Sequence, residues 1–148
     1  MADANPTPIP GTDPGLFARF MAKVNVTDGC WLWTAGRFAE GYGAFVTAGR
    51  PHGAHRVSWE IFRGEIPADA RASRGGTLYV LHNCPGGDNP LCVNPRHLWL
   101  GTNVQNLADR DAKGRQARGD RHGFRLHPER ISRGDAHYRR RRAKVSGQ

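Results

Sequence analysis

Thirteen consecutive residues, Asn83 to Pro95, constrain this chain more than any other feature. They hold Cys84, Gly86, Gly87, Pro90, Cys92, Asn94 and Pro95. Such a stretch is turn-rich and has too few apolar residues to hold itself by burial. Yet it is framed by two short apolar runs, Leu78-Tyr79-Val80-Leu81 ending at His82, and His97-Leu98-Trp99-Leu100. Beyond the second run, Thr102 followed three residues later by Gln105 forms a capping box, and Gly114 is a natural stop, so a helix is expected over Asn103 to Lys113. The centre of the chain therefore reads strand, long loop, strand, helix.

Cys84, Cys92 and His97 are spaced C-x7-C-x4-H, and Cys30 is the third thiol of the chain. An odd cysteine count argues against a disulfide framework. Two readings stand. The thiols are unrelated buried small hydrophobes, or Cys30, Cys84, Cys92 and His97 converge as the four donors of a structural zinc. The second would staple the loop that lacks a core of its own.

The remaining segments supply that core. Residues 1–15 are rich in Pro, Asp and Gly, and little order is expected there. Phe17, Phe20, Met21 and Val24 have helical spacing, and Asp13-Pro14 is a plausible start. The aromatic runs Cys30 to Thr34 and Tyr42 to Val46 suggest a β-hairpin across a Gly-containing connector. Ala54, Val57, Ile61 and Phe62 give a second helix, stopped by Gly64.

Charge is divided sharply. Residues 1–109 carry nine basic and nine acidic side chains, and residues 110–148 carry thirteen and four, so the formal net charge of +9 lies in the last 39 residues. This suggests a neutral globular body with a basic, nucleic-acid-seeking tail. The tail contains Arg139-Arg140-Arg141-Arg142. It also repeats Arg118-Gly119-Asp120-Arg121-His122 as Arg133-Gly134-Asp135-Ala136-His137. No apolar run approaches the ~18 residues of a membrane span, and Met1 to Pro10 lacks the pattern of a signal peptide, so a cytoplasmic location is expected.

Leu81-His82-Asn83-Cys84, Cys92-Val93-Asn94-Pro95-Arg96-His97-Leu98 and Gly101-Thr102-Asn103-Val104-Gln105-Asn106 together resemble the ββα-metal core of HNH (His-Me finger) endonucleases. The nearest subgroup is the zinc-stapled phage and intron type, related to His-Cys box homing endonucleases. Gly29-Cys30-Trp31-Leu32-Trp33, Gly41-Tyr42-Gly43 and Ala54-His55-Arg56-Val57-Ser58-Trp59-Glu60 resemble its N-terminal half. The resemblance implies an α+β fold with an endonuclease domain over 16–115, a flexible segment at 1–15 and a basic DNA-binding tail at 116–148.

It further implies metal-dependent hydrolysis of DNA phosphodiesters, leaving 5′-phosphate and 3′-OH ends. His82 is then the general base. Asn106 holds a catalytic divalent ion, Mg²⁺ with Mn²⁺ as a substitute, and Asn103 is the rival ligand on the same helix. Asn94 is an orienting residue, and Arg56 a phosphate-contacting one with His55 beside it. Cys30, Cys84, Cys92 and His97 hold one structural Zn²⁺. Arg118, Arg121 and Arg139 to Arg142 would meet the backbone of double-stranded DNA. Leu81 stands where many HNH enzymes carry an Asp ligand, which leaves Asn106 to act alone. Two other functions are compatible with the same residues: a non-catalytic zinc-containing nucleic-acid-binding module, and a packaging accessory nuclease active with a phage terminase. A homodimer would account for double-strand cutting, but no residue pattern fixes one.

Overall fold

The computed structural model describes residues 6–69 and 76–115. The chain divides into two units, Met1–Ala108 and Asp109–Gln148, and the elements that build the core belong to the first. The fold is α+β, with three two-stranded antiparallel sheets and three helices among the described residues.

Helix α1 spans Pro14–Met21. Asp13 caps it by accepting from the Gly15 and Leu16 N–H groups, and Pro14 occupies the first turn, where its missing N–H costs nothing. The segment before it is held: the Ile9 N–H and the Thr12 hydroxyl both donate to the Ile61 carbonyl. Residues 9–13 are thus ordered, contrary to the reading of 1–15 as flexible, because the end of the next helix offers them a free carbonyl.

The expected hairpin between the two aromatic runs forms only at its tip, where Arg37 bridges Gly43, the Ala44 N–H donates to the Gly36 carbonyl and the Phe38 N–H to the Tyr42 carbonyl. Strand β1 (Val24–Asn25) pairs with β2 (Leu32–Trp33), and β3 (Ala44–Thr47) pairs with β4 (Arg50–Gly53). The aromatic runs meet through side chains instead. Phe20, Trp33 and Phe45 pack with ring centroids 5.4 to 5.8 Å apart. Burial of large rings decides this pairing over strand propensity. The β3–β4 turn has positive φ at both Ala48 (48°) and Gly49 (73°), the signature of a two-residue type I′ connection.

Helix α2, Ala54–Arg63, buries Ala54, Val57, Ser58, Ile61 and Phe62, and ends at Gly64 with φ 105°. Its packed start requires a glycine in the neighbouring strand. A Cβ on Gly43 would lie 2.5 Å from Trp33 Cδ1 and 3.0 Å from the Ala54 Cβ. Gly43→Ala is therefore expected to destabilise the fold by about 1–3 kcal/mol through overpacking. A lower urea midpoint at unchanged m-value would show it, and an unaltered midpoint would mean that the indole yields without cost.

Strand β5, Tyr79–His82, pairs antiparallel with β6, Leu98–Gly101, placing His82 opposite Leu98. A single 3-10 turn, Pro95–His97, leads into β6. Helix α3, Asn103–Ala112, follows directly. Its capping box is present: the Thr102 N–H donates to Gln105 Oε1, and the Gln105 N–H to Thr102 Oγ1. The order of the centre is thus as expected. No helix among the described residues is long and apolar enough to cross a membrane.

Candidate functional site

Each metal-type donor is delivered by backbone bonding around the Asn83–Pro95 loop. The loop lies along β2 as an additional strand would: the Trp33 N–H donates to the Leu91 carbonyl, and the Val93 N–H to the Trp31 carbonyl. That pairing brings Cys30, just before β2, alongside Cys92. The Asn94 side chain tightens the join by donating to the Gly29 carbonyl at 2.7 Å. Its Oδ1 accepts from the Arg96 N–H and caps the turn that carries His97. From α2, the buried Ser58 hydroxyl donates to the Val93 carbonyl at 2.6 Å. Cys84 opens a turn in which Gly86 and Gly87 take φ of 78° and 124°.

The three sulfurs and His97 Nδ1 all lie within 4.8 Å of one another. His97 Nδ1 is 3.6 Å from Cys30 Sγ and 3.5 Å from Cys92 Sγ. Tetrahedral zinc with its usual Zn–S and Zn–N lengths requires S···N edges of about 3.5–3.6 Å. The donor set can therefore hold a metal such as zinc, and the three cysteines form no disulfide.

The electrostatics agree. Burial pushes the Cys84 and Cys92 thiols up, against backbone N–H groups of Asn89 and Asn94 that hydrogen-bond the respective sulfurs and favour thiolate. Thiolates in this position need a cation. Burial lowers the His97 pKa, which keeps its nitrogen available as a ligand.

His82 is tied to this group. It is the last residue of β5 and is buried. Ladder pairing with Leu98, and the bond from the Asn83 N–H to the His97 carbonyl, continue the strand past it. His82 Nε2 lies 3.0 Å from the Cys92 carbonyl. A carbonyl only accepts, so Nε2 carries the proton and the basic lone pair belongs to Nδ1.

Two residues that the sequence left undeveloped complete the surroundings. Tyr42, His55 and His82 form a ring cluster with centroids 5.1 to 5.9 Å apart. His55 Nδ1 is buried and has no hydrogen-bond partner among the described residues. Burial, then the charges of His82 and Arg56, lower the His55 pKa to about 3. The only hint in the sequence was the position of His55 beside Arg56.

The other expected residues fall as follows. Arg56 lies on α2 with Nη2 2.6 Å from Thr77 Oγ1 and Nη1 3.2 Å from the Leu78 carbonyl, so its guanidinium binds the approach to β5. Asn94 orients the metal loop, through Gly29 and Arg96. Asn106 stands on the first turn of α3 with a half-buried side chain, whereas Asn103 is exposed. Arg118, Arg121 and Arg139 to Arg142 lie outside the described residues. A cleft of about 370 Å³ between residues 9–13 and α2 shares no residue with the metal quartet or His82.

Comparison with known proteins finds sequence similarity to phage proteins. The chain is 36% identical over 107 residues to Protein 2.8 of Escherichia phage T7, covering 70% of this chain and 66% of that protein. It is 37% identical over 91 residues to Protein 7.7 of the same phage, covering 62% of each. The chain thus spans slightly less than two thirds of the length of either relative. Neither name states an activity. No family model matches, and no solved structure matches.

Proposed function

We propose that this chain is a metal-dependent DNA endonuclease with a ββα-metal core formed by β5, the Cys84–Cys92 loop, β6 and α3. One observation carries the reading: the imidazole of His82 is anchored through Nε2 to the backbone of Cys92, a member of the metal-type quartet. The bond satisfies a buried carbonyl whatever the function; in a hydrolase it also orients Nδ1 to take a proton from water as the oxygen attacks phosphorus and the 3′ oxygen departs.

Asn106, the half-buried member of the pair on α3, offers its side-chain oxygen to a hydrated Mg²⁺, a cation that accepts few protein ligands. Such an ion supplies stabilisation of the charge that develops as the P–O bond breaks. Arg56, fixed at the approach to β5 and next to His55 on α2, supplies a permanent positive charge that could meet a phosphate. The phage relatives fit an enzyme acting in an infected cell.

Plasmid cleavage with Mg²⁺, Mn²⁺ and EDTA arms, followed by end-sequencing, tests the proposal. Metal-dependent nicking or linearisation with 5′-phosphate ends is expected. DNA retention without metal-dependent cutting would assign the chain to the zinc-containing binding modules. Cutting seen only after a terminase is added would assign it to packaging.

The excess charge of residues 110–148 yields a separate expectation. Removing residues 116–148 should weaken DNA binding and flatten the dependence of log K on log salt, because each displaced phosphate contact contributes about 0.9 to that slope. An unchanged slope would make the tail a solubility element only.

A further inference from the structure

We propose that His55 is a positioning residue for His82: its ring, packed against His82 and Tyr42, restrains the plane of the base. The inference rests on the reading of His82 as general base.

A hydrogen bond to one ring nitrogen holds one point of an imidazole. The Cys92 carbonyl does this at His82 Nε2. A contact on a ring face restrains the tilt of its plane. His55 supplies it, with centroids 5.2 Å apart and planes inclined by 46°. Tyr42 backs His55 at 5.1 Å and touches His82 at 5.9 Å, so the three rings brace one another.

The chain also makes room for this ring. A Cβ on Gly53 would lie 2.8 Å from His55 Cε1 and 3.2 Å from Nδ1. Glycine at that position lets the imidazole fold back over the start of α2 and towards β5.

Nδ1 of His55 does not explain its placement: it has no hydrogen-bond partner among the described residues. Burial keeps it neutral, so it contacts the base without adding a competing charge. What the site uses is the ring itself. A phenyl group of similar size should serve, and it would remove the orphaned nitrogen.

The test compares the zinc-loaded full chain with His55→Ala, His55→Phe and His82→Ala in Mg²⁺-dependent plasmid cleavage. Thermal unfolding and zinc content are measured alongside. For His55→Ala, kcat is expected to fall about tenfold or more with KM within about twofold, as for loss of orientation at the reacting atoms. For His55→Phe, kcat should stay within about threefold of the wild type and the melting temperature should not fall. Nitrogen NMR of the His82 ring gives a readout apart from activity: the Nε2–H form should persist in His55→Phe and give way to a tautomer mixture in His55→Ala. Unchanged kcat in His55→Ala overturns the proposal. So does His55→Phe as impaired as His55→Ala, since the nitrogens would then be doing chemistry. Absence of cutting by the wild type, or full cutting by His82→Ala, would instead refute the endonuclease reading.

Discussion

Replacing His82 by alanine is expected to reduce DNA cleavage by about 10²–10⁴-fold, the range that general-base catalysis supplies. DNA affinity should stay within about twofold, since a buried imidazole contributes little to phosphate binding. Stability should fall as well. The Cys92 carbonyl loses its partner, and an unsatisfied buried polar group costs about 1–3 kcal/mol. The two effects separate by measurement. Single-turnover cleavage is followed at a temperature where circular dichroism shows the variant folded, and DNA binding is measured in Ca²⁺. Cleavage at the wild-type rate would dismiss His82 as the base. Loss of affinity in step with loss of rate would indicate that the ring was supporting the fold of the DNA surface.

The sequence reveals some parts of this molecule and hides others for physical reasons. The helices were legible because their signals are local. Thr102 and Gln105 cap α3 reciprocally three residues apart, and Ala54, Val57, Ile61 and Phe62 mark a buried face at helical spacing. The metal-type quartet was legible because a loop so poor in apolar residues needs another source of cohesion, and the chain's three cysteines with the nearby His97 could supply it. Strand pairing was not legible. The partners of Leu32–Trp33 are Val24–Asn25 on one side and the Cys92 segment on the other, set by aromatic packing between residues far apart in the chain. Strand β4 was hidden because Arg50-Pro51-His52-Gly53 has little strand propensity and its turn begins with an alanine at positive φ. The contact of the His82 ring with those of His55 and Tyr42 was hidden because long stretches of chain separate rings that meet only after folding.

Loss of the quartet is expected to affect everything else. Zinc binding to sites of this kind contributes about 10–16 kcal/mol of apparent free energy at neutral pH, against a total stability of about 5–15 kcal/mol for a typical domain. Cys92→Ser, or strong chelation of the wild type, should therefore unfold the first unit rather than loosen it. Trp31 and Trp33 flank the Cys30 strand and are buried, so their emission should shift to the red as the transition proceeds. The bound metal should be zinc at one equivalent per chain. Its affinity should fall as the pH is lowered, because burial already favours the protonated thiols of Cys84 and Cys92 and each must lose its proton to coordinate. Cleavage should disappear along the same chelation curve, since the backbone that carries Cys92 also carries the acceptor for His82 Nε2. A Cys92→Ser protein with unchanged melting temperature and zinc content would remove the metal from the fold. A zinc-stripped protein that stays folded but does not cut when Mg²⁺ is restored in excess would place the zinc in the chemistry instead.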